Sequence, residues 1–288
     1  MNIHQLTLPV SQDGELRMDA DEAYATGAML ANEYRTADPF PHIVLEDFLP
    51  QPVIEQALQS FPMDPLKSDV VFDMDYAGHH KRQILPYDCN KSAQELFHFF
   101  NSGPVLRFLE GLTGISGLIP DPYFSGGGFH EISRGGLLGV HADFRINDKL
   151  HLERRLNLLI YLNPGWKEEW GGQLELWDKK MQSCRSKVFP LLNRCVVFST
   201  DADSFHGHPD PLNTPDHIKR RSMALYYYTS SQHIHKEVPG HGTMYYARPE
   251  DSAASRAQAR RLRTAENVQD WFPPKIARLI NRVLNKLY

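Results

Sequence analysis

Residues 135–144 read GGLLGVHADF. The run LLGV at 137–140 has the character of a strand entering a core. Yet it leads straight into His141 and Asp143, with only Ala142 between them. In a strand, residues i and i+2 point to the same face, so this imidazole and this carboxylate converge on one spot. A buried carboxylate is costly unless something positive sits beside it. The stretch therefore reads as a core strand that carries chemistry.

Working outward, short strand-like runs alternate with turns from Ile119 onward: 127–133, 137–144, 156–162, 173–177, 194–199 and 222–229. Gly135-Gly136 lies between two of them and predicts a hairpin. Strands at this spacing suggest a sandwich or jelly roll. Upstream, residues 18–36 read as a helix with Asp19, Asp21 and Glu22 near its start. A short strand at 42–45 follows. QPVIEQALQSF then places Val53, Ile54, Ala57, Leu58 and Phe61 at helical spacing behind Pro52. Residues 91–114 read as two helices broken at Gly103-Pro104. The expected fold is mainly β with helical additions: a double-stranded β-helix (jelly roll) core buttressed by N-terminal helices. The expected organisation is a single domain over 1–288, with helical support at 1–118, the jelly roll at 119–247 and a helical extension at 248–288.

Composition excludes several classes. Of the 288 residues, 41% are hydrophobic and 23% charged, an ordinary globular mixture. No run approaches the roughly 18 apolar residues of a membrane span. The first residues lack the basic head and apolar run of a secretory signal. Cys89, Cys184 and Cys195 are widely spaced, which argues against a disulfide framework or a cysteine-ligated zinc site. The sequence thus predicts a soluble protein of the cytoplasm. A net charge of −4 speaks against nucleic acid as a partner.

Two further polar clusters lie in the β region. SFHGHPDP holds His206 and His208, and RRSMALYYYT begins with Arg220 and Arg221. Two histidines and one carboxylate can occupy one face of an octahedral ion and leave the other positions open, as in non-heme Fe(II) oxygenases. His141 and Asp143 supply two such groups. His206 is the expected third, with His208 as its rival two residues on. Arg220 and Ser222 share a strand face, where a guanidinium fork and a hydroxyl suit a carboxylate. In LNLLIYL, Asn157, Leu159 and Tyr161 lie on one face, fit for a partly polar interior. Leu156, Leu158, Ile160 and Leu162 lie on the other, fit to pack against helices.

With those residues in place, the sequence resembles the 2-oxoglutarate- and Fe(II)-dependent dioxygenases, in particular the prolyl-4-hydroxylase-like branch. The resemblance covers residues 123–229 and includes YLNPGW and GGQLELWD. It implies that His141, Asp143 and His206 are catalytic and hold Fe(II). It implies that Arg220 clamps the distal carboxylate of 2-oxoglutarate, with Ser222 and Tyr161 assisting and Asn157 on the same wall. O2 would be the second co-substrate, and ascorbate an accessory reductant. The implied reaction is hydroxylation of a C–H bond in a small-molecule or peptidyl substrate, a prolyl or other amino-acid side chain among the options, with release of succinate and CO2. The interval from His206 to Arg220 is longer than in many relatives, which leaves the choice between His206 and His208 open. Two other readings remain: a zinc hydrolase on the same triad, which gives Arg220 no task, and a non-catalytic jelly-roll binding protein.

Outside the core, His130 and Glu131 precede the metal strand, and one of them is a candidate substrate contact, although hairpin turns explain the surrounding glycines without it. Residues 62–90 read as a long excursion, a surface loop or a lid. PPKIARLINRVLNKLY at 273–288 reads as a basic amphipathic helix that packs on the protein's own body, pairs a homodimer or lies on a membrane.

Overall fold

The structure, a computed structural model, describes residues 3–11, 16–147, 149–230 and 241–271. The first part of the chain mixes strands and helices: β1 (Ile3–Gln5), α1 (Ala20–Met29), α2 (Ala31–Thr36), β2 (His42–Glu46), α3 (Gln51–Ser60), β3 (Val70–Phe72), β4 (His79–Ile84), α4 (Lys91–Phe100) and α5 (Gly103–Thr113). Strands then dominate: β5 (Ile119–Pro120), β6 (Gly128–Ala142), β7 (Ile146–Asn147), β8 (Leu152–Tyr161), β9 (Leu174–Trp177), β10 (Cys184–Val188), β11 (Cys195–Ser199), β12 (His206–His208), β13 (Arg220–Ser230) and β14 (Met244–Tyr245). Helix α6 (Ala253–Trp271) follows.

The apolar strands are buried on both faces, and this sets the layers. Leu156, Leu158 and Ile160 of β8 join Cys195 and Val197 of β11 and Met223 and Leu225 of β13 against the helices. Val53 and Ile54 of α3, Phe97 and Phe100 of α4, and Phe108 and Leu112 of α5 meet them there. The alternate residues Tyr161, Val196 and Phe198 face inward and meet Leu174 and Leu176 of β9. Near-continuous apolar runs such as CVVFS follow from that two-sided burial.

Strand order runs β1-β2-β11-β8-β13-β6-β12-β9-β10. Strand β6 joins two sheets. Its first half pairs with β13, Arg220 opposite Ile132, and its second half with β12, His206 opposite His141. A strand that passes from one sheet to the next through a bend is how curled β architectures turn a corner. The double-stranded β-helix expected from the sequence is thus present.

The bend corrects one expectation. Gly135-Gly136 does not close a hairpin but kinks a single 15-residue strand. Gly135 has φ +76°, a left-handed conformation that costs glycine little. Its N–H donates to Leu212 O (2.8 Å), and Leu212 N–H donates to Gly136 O (3.0 Å), so the segment after β12 docks on the kink.

Other differences are local. Residues 18–36 form two helices that meet at Leu30, the first capped by Asp19 Oδ1, which accepts from Asp21 N (3.0 Å) and Glu22 N (2.9 Å). The 62–90 excursion is not a surface loop. It contains the β3–β4 hairpin, and β4 pairs with β6. Strand β10 was not expected. The amphipathic stretch at 273–288 lies outside the described residues.

Candidate metal centre and its cavity

The His141 position at the end of β6 and the His206 position at the start of β12 are direct cross-strand partners, and Asp143 lies just beyond β6. The two rings sit with centroids 4.5 Å apart. Each imidazole is fixed by its own strand: His141 Nδ1 lies 2.9 Å from Gly139 O, and His206 Nδ1 lies 2.9 Å from Ser204 O. A carbonyl only accepts, so each Nδ1 carries the proton and each Nε2 presents a lone pair. Both lone pairs face Asp143, at 3.6 Å from its Oδ1 for His141 and 3.4 Å from its Oδ2 for His206.

Three electron-pair donors therefore converge in a buried place, and their atoms all lie within 4.8 Å of one another. A divalent cation is the species such a set accommodates, and carbonyl-oriented histidines are the usual support for it. Burial lowers the His206 pKa to about 4, helped by His141 and resisted by Asp143. That imidazole stays neutral, as a metal ligand must. Burial pushes the Asp143 carboxyl up, but Arg154 and the histidines outweigh it and hold the group well below the usual range. His208, the rival ligand, is buried on the same cavity wall, but neither of its nitrogens belongs to the converging set. Neither has a hydrogen-bond partner.

Arg154 was not foreseen. Its Nη2 lies 3.0 Å from Asp143 Oδ2, and its Nε and Nη2 donate to Asn157 Oδ1 at 3.0 and 2.7 Å. Asn157 Nδ2 in turn donates to Asp143 Oδ2 at 2.8 Å. Strict alternation from Leu156 would send Arg154 to the aliphatic face. A bulge intervenes: Leu156 faces Tyr227 and Arg154 faces the next residue, Tyr228, so Arg155 is the extra residue. One inserted residue reverses the face of everything before it. Asn157 lines the same cavity as Arg220 and Ser222 and also donates to the aspartate.

On β13, Arg220 is 5% exposed and Ser222 3%. Arg220 Nε donates to Gly172 O (2.8 Å), and its Nη2 lies 3.4 Å from the Tyr161 hydroxyl. The guanidinium stands 5.0 Å from the Tyr161 ring centroid. Arg221 points the other way, where its Nε donates to Glu131 Oε2 (2.8 Å). His130 faces the cavity and Glu131 does not.

One cavity of about 200 Å³ takes in His141, Asp143, His206, Arg220 and Ser222. Tyr161 bounds it through its contact with Arg220. Strand β4, from the excursion, supplies Lys81 and Gln83 to the same wall. Burial pushes the Lys81 ammonium down to about 8, against the pull of Asp143.

Residues 127–228 match the 2OG-Fe(II) oxygenase superfamily. The match covers the strands that carry the triad and Arg220, and the protein is an oxygenase that uses Fe(II) and 2-oxoglutarate. Comparison with curated proteins returns no match. Among solved structures, a Pseudomonas putida prolyl-4-hydroxylase is similar at 18% identity and TM-score 0.50, over 70% of this chain and 98% of that one. A prolyl 4-hydroxylase from Phytophthora capsici is similar at 18% and 0.50, over 78% and 70%. The alpha-ketoglutarate-dependent epimerase SnoN from nogalamycin biosynthesis is similar at 15% and 0.50, over 80% and 88%. These likenesses are of fold. Neither the hydrolase nor the non-catalytic reading is favoured by the family.

Proposed function

We propose that His141, Asp143 and His206 hold the ferrous ion, and that Arg220 with Ser222 and Tyr161 receives the distal carboxylate of 2-oxoglutarate. One observation carries this assignment: His141, Asp143 and His206 line one cavity with Arg220 and Ser222, and Tyr161 touches Arg220 from behind. The metal with 2-oxoglutarate and O2 supplies the oxidising power, so that a C–H bond becomes C–OH while succinate and CO2 leave. The chain's own residues bind and orient. Arg220 Nε is pinned by Gly172 O, and apart from the 3.4 Å contact of Nη2 with the Tyr161 hydroxyl its outer N–H groups are left for the co-substrate. Arg154 and Asn157 fix one oxygen of Asp143, so the other stays free to meet the metal. Phe198, Leu159 and Leu174 line the inner wall and limit water there.

The substrate is proposed to present an amino-acid side chain, free or in a peptide, prolyl among the options. The two prolyl hydroxylases of similar fold support this, and the β3–β4 hairpin contributes Phe72, Lys81 and Gln83 to the cavity's lining. A single domain is proposed because the helices and the jelly roll share one hydrophobic cluster, from Leu8 to Tyr227. Residence in the cytoplasm is supported by three free cysteines. No described helix is long and apolar enough to cross a membrane.

The test is calorimetric titration of the Ni(II)-loaded protein with 2-oxoglutarate. Arg220→Ala weakens the co-substrate by about 10–100-fold, the worth of a charge-assisted hydrogen bond, and spares the metal. Unchanged affinity refutes the assignment of Arg220.

A further inference from the structure

Among the described residues, three cationic side chains line the cavity: Lys81, Arg154 and Arg220. Asp143 is its only acid there. A divalent metal and a dicarboxylate co-substrate cancel each other's charge. The wall then keeps a surplus of two positive charges. Arg220 is the site of the co-substrate's distal end, and Arg154 is neutralised by Asp143 at 3.0 Å. That leaves Lys81, which makes no direct ion pair or hydrogen bond with any described residue. Its Nζ stands 4.9 Å over the Phe72 ring, held there by the hairpin.

Lys81 and Arg220 both pair with Ile132 of β6, so Lys81 stands two strands from the residue assigned to the co-substrate. It lines the metal cavity and also borders a surface groove with Arg82 and Ser133. It therefore lies between the metal cavity and the surface. Nearby, His208 is 4% exposed, and both its nitrogens lack partners. A buried polar group without a partner is costly, as is a desolvated cation with no direct ion pair. An anion with acceptor oxygens lowers both costs, since it compensates the ammonium and accepts from the single N–H of a neutral His208.

We propose that the substrate of this oxygenase carries an acidic group, a carboxylate or a phosphate, and that Lys81 is its docking point, with the His208 N–H as a second donor. The proposal rests on the oxygenase reading above and adds to it the chemical class of the substrate. An ammonium is a point charge with three rotatable donors, so it takes either anion. A neutral peptide segment alone leaves the surplus charge uncompensated.

The experiment loads the protein with Ni(II) and 2-oxoglutarate and follows small probes by saturation-transfer NMR. N-acetylproline is compared with its amide, and phenyl phosphate with phenol. At least one acid binds and its neutral counterpart does not; which acid binds tells carboxylate from phosphate. Lys81→Met weakens that acid by about 10–100-fold, Lys81→Arg keeps it within about threefold, and 2-oxoglutarate affinity stays within about twofold. The inference is overturned if neutral probes bind as well as acids, if neither acid binds, or if Lys81→Met leaves acid binding intact. Loss of 2-oxoglutarate binding in Lys81→Met also overturns it, because the lysine then serves the co-substrate. A wild-type protein that ignores 2-oxoglutarate sinks the oxygenase reading and this inference with it. Normal co-substrate binding without acid selectivity sinks this inference alone.

Discussion

Replacing Arg154 by Met tests whether Asp143 is held ready for a metal by its neighbours. Arg154 is 2% exposed and the Asp143 side chain 10%, so solvent screens the pair little. Met keeps much of the stem that packs under Tyr226, whose ring lies 3.5 Å from the guanidinium. The charge is lost, however, and the Asp143 carboxylate is left buried with only Asn157 as a donor. Removing one partner of a buried pair costs about 3–5 kcal/mol. In a chain of 288 residues that lowers Tm by roughly 5–8 °C. Differential scanning calorimetry on metal-free protein reads it directly. Adding Asp143→Asn removes the stranded charge, so the double variant is more stable than the sum of the singles predicts, by about 1–3 kcal/mol. Ni(II) also replaces the missing cation, so it raises Tm more in Arg154→Met than in the wild type. A shift below about 2 °C, or strictly additive single variants, refutes the argument that Arg154 compensates Asp143.

Other outcomes follow from the same geometry. Helices α1 and α5 cross at two glycines, and a Cβ on Gly111 would lie 2.2 Å from Tyr24 O. Gly111→Ala therefore destabilises by about 3 kcal/mol, whereas Gly103→Ala, with nothing within 4 Å, changes melting little. Burial depresses the pKa values of His42, His130, His206 and His208, the third to about 4. Between pH 6.5 and about 4 the unfolded chain binds protons that the folded metal-free chain refuses, so stability falls as pH falls through that window. His206 alone contributes about 3 kcal/mol to that loss. A melting temperature that is flat or rising from pH 6.5 to 4.5 contradicts this.

What the sequence disclosed depended on whether local periodicity survived folding. Strand β8 was legible from Leu156 onward because its aliphatic and polar faces alternate without interruption to Tyr161. His141 and Asp143 were legible because their spacing of two matches the pleat. Arg154 was hidden by the bulge at Arg155, since nothing in ERRLNLL marks an inserted residue. The kink at Gly135-Gly136 was misread because a glycine pair serves a hairpin turn and a bend equally well. Strands β3 and β4 were missed for another reason. DMDYAGHHKRQ shows no apolar alternation, because the face of β4 that turns inward meets a polar cavity through Lys81 and Gln83. Strand β10 was missed because CRSKV buries little beyond Ser186 and Val188. His208 could not be told from His206 in sequence. Only the pairing of β12 with β6, which sets His206 opposite His141, separates them.

The most direct test of the account is an anaerobic Fe(II) titration of four proteins, with bound iron counted per chain. Wild type and His208→Ala each take up one ferrous ion, while His141→Ala and His206→Ala take up none. Retention of iron by His206→Ala, or its loss in His208→Ala, contradicts the site described.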